Sequence, residues 1–144
     1  MTHQQSTRWL RIASLTCAAV GLAMAFALPL GAQSLMAWFL DLAFLPLDQA
    51  QAFSDPSAHL LGAISGGLLF GFGVMSYQIT THVYANDPAI GGRILRWGII
   101  SWFLVDCTGS VLAGAWFNVI LNSGFLALFL IPIARASKSR SALA

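Results

Sequence analysis

Residues 102–125 read WFLVDCTGSVLAGAWFNVILNSGF, two apolar runs with only Ala113, Gly114 and Ala115 left between them for a turn. Helices joined by so short a connection lie side by side and run in opposite directions. The stretch therefore predicts an antiparallel hairpin of two helices, over about residues 94–113 and 115–134, in a single register. Reflecting the chain about Gly114 sets Ser110 level with Asn118, and Asp106 level with Asn122. Asp106 and Ser110 are four apart and share a helix face, as do Asn118 and Asn122. Two polar pairs thus meet at matching depths, roughly 5 and 10 Å below the turn at ~1.5 Å per residue.

Working outward from the hairpin, the basic residues define a topology. Arg93 and Arg96 precede it; Arg135, Lys138 and Arg140 follow it; Arg8 and Arg11 stand before the first apolar run. These seven are all the Lys and Arg in the chain, and each cluster is separated from the next by two long apolar runs. Lys and Arg near membrane ends are kept on the cytoplasmic side. Four crossings with both termini cytoplasmic place all three clusters there, as expected of a multi-pass protein of a bacterial inner membrane. Residues 29–57 carry no basic residue but hold Asp41, Asp48 and Asp55, and so read as the far side.

Composition agrees. The chain is 58% hydrophobic and only 8% charged, where a soluble domain carries roughly 25% charged residues. The length of 144 residues allows one domain. No basic stripe runs along a helix, so nucleic acid is not an expected partner; the lipid bilayer is. Cys17 and Cys107 both lie inside apolar runs with no Cys-x-x-Cys, which reads as packing and gives no thiol redox chemistry.

The first run, Ile12 to Leu30, has nineteen residues without a charge, and a crossing over about 10–30 is expected, with Trp9 at the interface. A cleaved signal peptide with its site near Ala25 to Ala27 is the competing reading. Leu35 to Leu47, interrupted by Asp41 and Pro46, is too short to span. A short interfacial or re-entrant helix within about 35–50 is expected there. Met36, Trp38, Phe39, Leu42 and Leu45 would pave one side while Asp41 and Asp48 face water. Ser54-Asp55-Pro56-Ser57 then reads as a turn with Ser57 as helix cap.

The second crossing, about 58–84, is crowded with glycine: Gly62 with Gly66 and Gly67 with Gly71 make two Gly-x-x-x-Gly motifs, and Gly73 follows. In lipid, small residues that let backbones approach carry much of the packing. The four motif glycines are the expected packing positions, against this chain, a second copy or a membrane-complex partner. Asn86-Asp87-Pro88 ends the helix, and Gly91-Gly92 is expected to keep the connection mobile. Pro132 is expected to loosen the last helix near its end.

Asp106 is the one acid inside a spanning run, and an ionised carboxylate in that position costs on the order of 2.5–3.5 kcal/mol. It is expected to be neutral, paired, or open to water, and no Lys or Arg lies at its depth. Ser65, counted inward from Ala58, reaches a similar depth. Asp106, Ser110, Asn118, Asn122 and Ser65 are therefore the candidate ligand-binding residues; the alternative is a hydrogen-bonded clasp between helices. Trp102, one turn from Asp106, either shields the carboxyl or faces lipid. His59 and His82 sit about 35 Å apart along one helix at ~1.5 Å per residue, so they hold neither a haem nor a metal together. No nucleophile set, paired carboxylates, phosphate loop or cofactor signature assembles, so no cofactor is expected.

The layout resembles the small four-helix inner-membrane proteins of proteobacteria, over about residues 10–134. In these an amphipathic segment follows the first helix, and a Gly-rich second helix, here with Gly66-Gly67, precedes an Asp/Asn-bearing hairpin, here Asp106, Asn118 and Asn122. The resemblance implies an all-α membrane protein and carries no activity with it. Three functions are expected in order: a non-enzymatic membrane protein packing within a bundle or a larger complex; a binder or carrier of a small apolar or lipid-like molecule at Asp106; and a membrane-embedded enzyme using Asp106 as acid or base.

Overall fold

The computed structural model describes residues 1–27, 30–50 and 55–141. They form α1 (His3–Ala27), α2 (Gln33–Phe44), α3 (Pro56–Gln78), a π-helical continuation of α3 (Ile79–Tyr84), α4 (Pro88–Leu112) and α5 (Asn118–Ser141), with no strand among the described residues. Four stretches, His3–Ala27, Pro56–Tyr84, Pro88–Leu112 and Asn118–Lys138, are long and apolar enough to cross a membrane.

The starts of α1, α4 and α5 fall elsewhere than the apolar runs suggest, for local reasons. α1 starts at His3 because Thr2 and Gln5 form a reciprocal box: Gln5 N–H donates to Thr2 Oγ1 at 3.2 Å, and Thr2 N–H to Gln5 Oε1 at 2.9 Å. α4 starts at Pro88, before Arg93, because the Asp87 carboxylate accepts from the N–H groups of Ala89 and Ile90. Pro56 takes the first position of α3 behind Asp55, so Ser57 lies inside the helix and does not cap it; Ser54 is outside the described residues. The α4–α5 connection is longer than three residues. Gly114, at φ 85°, closes α4 in a Schellman turn, its N–H on Val111 O and that of Ala115 on Ser110 O, and α5 begins only at Asn118.

α1 and α3 meet backbone to backbone. A Cβ on Gly21 would lie 2.3 Å from Phe70 N, one on Gly66 2.3 Å from Ala25 N, and one on Gly73 2.5 Å from Ala18 N. Of the expected packing set of Gly62, Gly66, Gly67 and Gly71, Gly66 is the one that meets α1 at this contact. Gly66 makes the contact together with Gly73, two turns further on the same face, and Gly21 of α1 completes it. Gly67 and Gly71, rotated away from that face, have nothing within 4 Å of where a Cβ would stand. Gly62 is half-buried.

Where α3 turns into α4 the backbone is tighter still. Ala85 N–H reaches back to Thr80 O, a π-type bond that adds a residue to the turn and buries Tyr84 completely, at 0% exposure. Gly91 and Gly92 are not a mobile connection. They form the first turn of α4, and a Cβ on Gly91 would stand 2.4 Å from Tyr84 Cα. Tyr84 Oη and Ser6 Oγ are 2.8 Å apart, and Ser6 Oγ donates to Pro132 O at 2.9 Å.

Pro132 does not loosen α5, which continues to Ser141. Proline has no N–H to give Leu128 O, and the Trp9 indole donates to that carbonyl instead, at 3.1 Å.

α2 packs on α1 and α5 with Met36 and Ala43 buried. Asp41, expected to face water, is buried at 4% exposure. Its Oδ2 accepts from Gln49 N–H and its backbone O from Leu45 N–H, so it ties down the segment that leaves α2. Trp38, expected on the paving side, is exposed, and so is Asp48.

Candidate functional site

A cavity of about 490 Å³ lies among all five helices. α1 contributes Val20 and Met24, α2 Phe39, α3 Ser65, Leu68, Leu69 and Phe72, α4 Trp102 and Asp106, and α5 Asn118, Asn122 and Phe125. Each set follows helical spacing: 20 and 24; 65, 68, 69 and 72; 102 and 106; 118, 122 and 125. The walls are mostly apolar and aromatic, with the polar residues few and grouped.

The polar group is built across the α4–α5 turn in the register read from its length. Asn118 Nδ2 donates to Ser110 Oγ at 2.9 Å and to Asp106 Oδ2 at 3.3 Å. Asn122 Nδ2 donates to the same carboxyl oxygen, and at 3.9 Å to Cys107 Sγ. Asn122 is buried, while Asp106 and Asn118 are half-buried. Thr108 and Ser123 turn away and bond their own helices, at Leu104 O and Val119 O.

Of the five candidate residues, Asp106, Asn118, Asn122 and Ser65 line the cavity, and Ser110 stands behind it, holding the Asn118 amide. Trp102 joins them as a wall, stacked on Phe72 with ring centroids 6.5 Å apart and edge-on to Phe125 at 6.4 Å. The apolar walls Val20, Met24, Phe39, Leu68, Leu69, Phe72 and Phe125 are absent from the sequence-derived set. The helical periodicity that paired Asp106 with Trp102 reaches those on α3 and α5 from Ser65 and Asn122. Val20 and Met24 on α1 and Phe39 on the short α2, with no polar candidate on their helix, have no such signal.

The other polar concentration lies where α1 begins. His3 Nε2 is 3.1 Å from Ala85 O, Arg11 Nε donates to Thr81 Oγ1 at 3.2 Å, and Thr7 Oγ1 donates to His3 O at 3.0 Å. The first two bonds tie α1 to the far end of α3, and the third stays within α1. Among the described residues no three His, Cys, Asp or Glu side chains converge on a position for a metal ion.

Comparison of the chain with protein-family models, with curated proteins and with solved structures finds no match. The functional reading therefore rests on the cavity and its residues.

Proposed function

We propose that this chain is a multi-pass protein of the bacterial inner membrane, both termini cytoplasmic, whose four long helices run antiparallel around a binding site for a small, largely apolar molecule. The observation that carries the reading is the 490 Å³ cavity with Asp106, Asn118, Asn122 and Ser65 grouped on otherwise apolar walls. Sites for small molecules are concave and mostly apolar, of about 300–1,000 Å³, with a few placed polar groups. A clasp between α4 and α5 alone accounts for the hydrogen bonds, but not for the space beside them or for walls drawn from five helices.

The membrane setting is supported by the outer surface. Leu112 is 84% exposed, Val105 76% and Trp97 66%, on a chain of mean hydropathy +0.76. So much outward apolar surface suits lipid and not water. The antiparallel arrangement is supported by the pairings along α1 and α3, where Gly73 meets Ala18 and Gly66 meets Ala25. The topology is supported by the Arg11–Thr81 bond, which sets the basic start of α1 beside the end of α3 that leads to Arg93 and Arg96.

Extraction from native membranes followed by mass spectrometry of bound small molecules tests the reading. Wild type is expected to retain an apolar molecule that Ser65→Trp, which fills the cavity, releases; equal content in the two contradicts it. A second reading, a subunit of a larger assembly, is favoured by Gly67 and Gly71, which face outward with open space beside them. Gly67→Leu with Gly71→Leu then shifts the oligomer distribution on native gels, and an unchanged distribution removes this reading.

A further inference from the structure

The N–H groups of the polar patch are already spent on the protein. Asn118 Nδ2 gives its two to Ser110 and Asp106, and Asn122 Nδ2 gives its two to Asp106 and Cys107. What is left on Asp106, Asn118 and Asn122 is acceptor, and the only other side-chain donors among the described residues lining the cavity are the neutral Ser65 hydroxyl and Trp102 indole. Among the described residues no donor reaches Asp106 Oδ1, or the side-chain carbonyl oxygens of Asn118 and Asn122. Asn122 as a residue is 7% exposed. None of the lining residues is Lys, Arg or His.

The walls favour the same kind of partner. Phe72, Trp102 and Phe125 stand together at the cavity, and aromatic faces attract cations through their quadrupole. A carboxylate-headed or phosphate-headed molecule would meet three acceptors and ring faces, with two neutral donors at Ser65 and Trp102 and no positive charge. A head carrying both N–H groups and positive charge would meet an acceptor for each.

We propose that the cavity selects lipophilic amines, bound as ammonium ions. The head donates to Asp106 Oδ1 and the Asn118 and Asn122 carbonyls, and the apolar body lies along Leu68, Phe72 and Phe125. This rests on the cavity being a ligand site, as proposed above, and adds the chemical class.

Isothermal titration calorimetry of the full chain in detergent micelles, with the heats of protein-free micelles subtracted, tests it with three probes that differ only in the head: phenylbutylamine, phenylbutanol and phenylbutanoate. The amine is expected to bind about tenfold more tightly than the alcohol, since a charged donor roughly doubles a hydrogen bond, and the carboxylate more weakly than either. Asp106→Asn is expected to cut the amine-to-alcohol ratio to about threefold or less while alcohol binding persists. The wild-type series decides the matter even if that variant does not fold. An alcohol that binds wild type as tightly as the amine overturns the amine proposal and leaves the cavity a ligand site. No saturable heat with any of the three overturns both.

Discussion

At the end where α1 begins, Ser6, Tyr84 and the Pro132 carbonyl close on one another at 2.8 and 2.9 Å, with Ser6 and Tyr84 wholly buried. Near the α4–α5 turn, Asp106, Asn118 and Asn122 also bond across helices, but they border about 490 Å³ of open space. The residue types are alike; the surroundings are not. The Tyr84 end also has a wider concavity, about 740 Å³, lined by His3, Gln4, Gln5, Thr7, Arg8, Arg11 and Ala85, but it lacks the apolar walls of a ligand pocket. His3 Nδ1 and Thr80 Oγ1 are buried there without partners, as single atoms and not as a convergent patch. On the proposed reading, polar contact between packed helices holds the fold, and unspent acceptors beside an apolar void receive a ligand.

The contrast breaks if the two clusters respond alike to mutation. The largest expected effect is at the closed end, where Tyr84→Ala removes a fully buried aromatic and is expected to cost about 3–5 kcal/mol of stability, read by thermal or denaturant unfolding in detergent. Gly91→Ala comes next. Its methyl would stand 2.4 Å from Tyr84 Cα, and a loss of roughly 1–3 kcal/mol is expected, with Gly67→Ala, which meets open space, as the neutral comparison. Tyr84→Phe keeps the packing and loses only the bond to Ser6, for about 1 kcal/mol. At the cavity Asp106→Ala is expected to cost only about 0.6–2 kcal/mol of folding stability, accompanied by loss of amine binding. If Asp106→Ala instead destabilises as much as Tyr84→Ala, the polar patch is a clasp and the contrast fails.

The sequence made four long apolar helices and the α4–α5 register legible for a definite reason. A turn around Gly114 leaves little freedom, and Asp106, Ser110, Asn118 and Asn122 fall on matched faces whichever residue starts α5. The glycine motifs were half legible. Spacing shows that Gly66 and Gly67 each head a small-residue face, but which face turns inward depends on Gly21 and Ala25 of α1, a long-range fact. Asp41 was misread because a charge on a short amphipathic segment ordinarily faces water. Here the backbone N–H groups of the Leu45–Gln49 turn need an acceptor, and the carboxylate folds in to supply one. Tyr84 carried no signal, since its burial follows from a π-helical turn that periodicity does not announce.

Photolabelling answers the central question most directly. A phenylbutylamine bearing a diazirine on its apolar end, irradiated with the wild-type protein and mapped by peptide mass spectrometry, is expected to mark Leu68, Phe72, Trp102 and Phe125, and to be displaced by excess unmodified amine. Labelling confined to outward residues such as Val105, Leu112 and Ile120, and indifferent to competitor, would mean that the compound reaches only the outer surface. The cavity would then be no binding site.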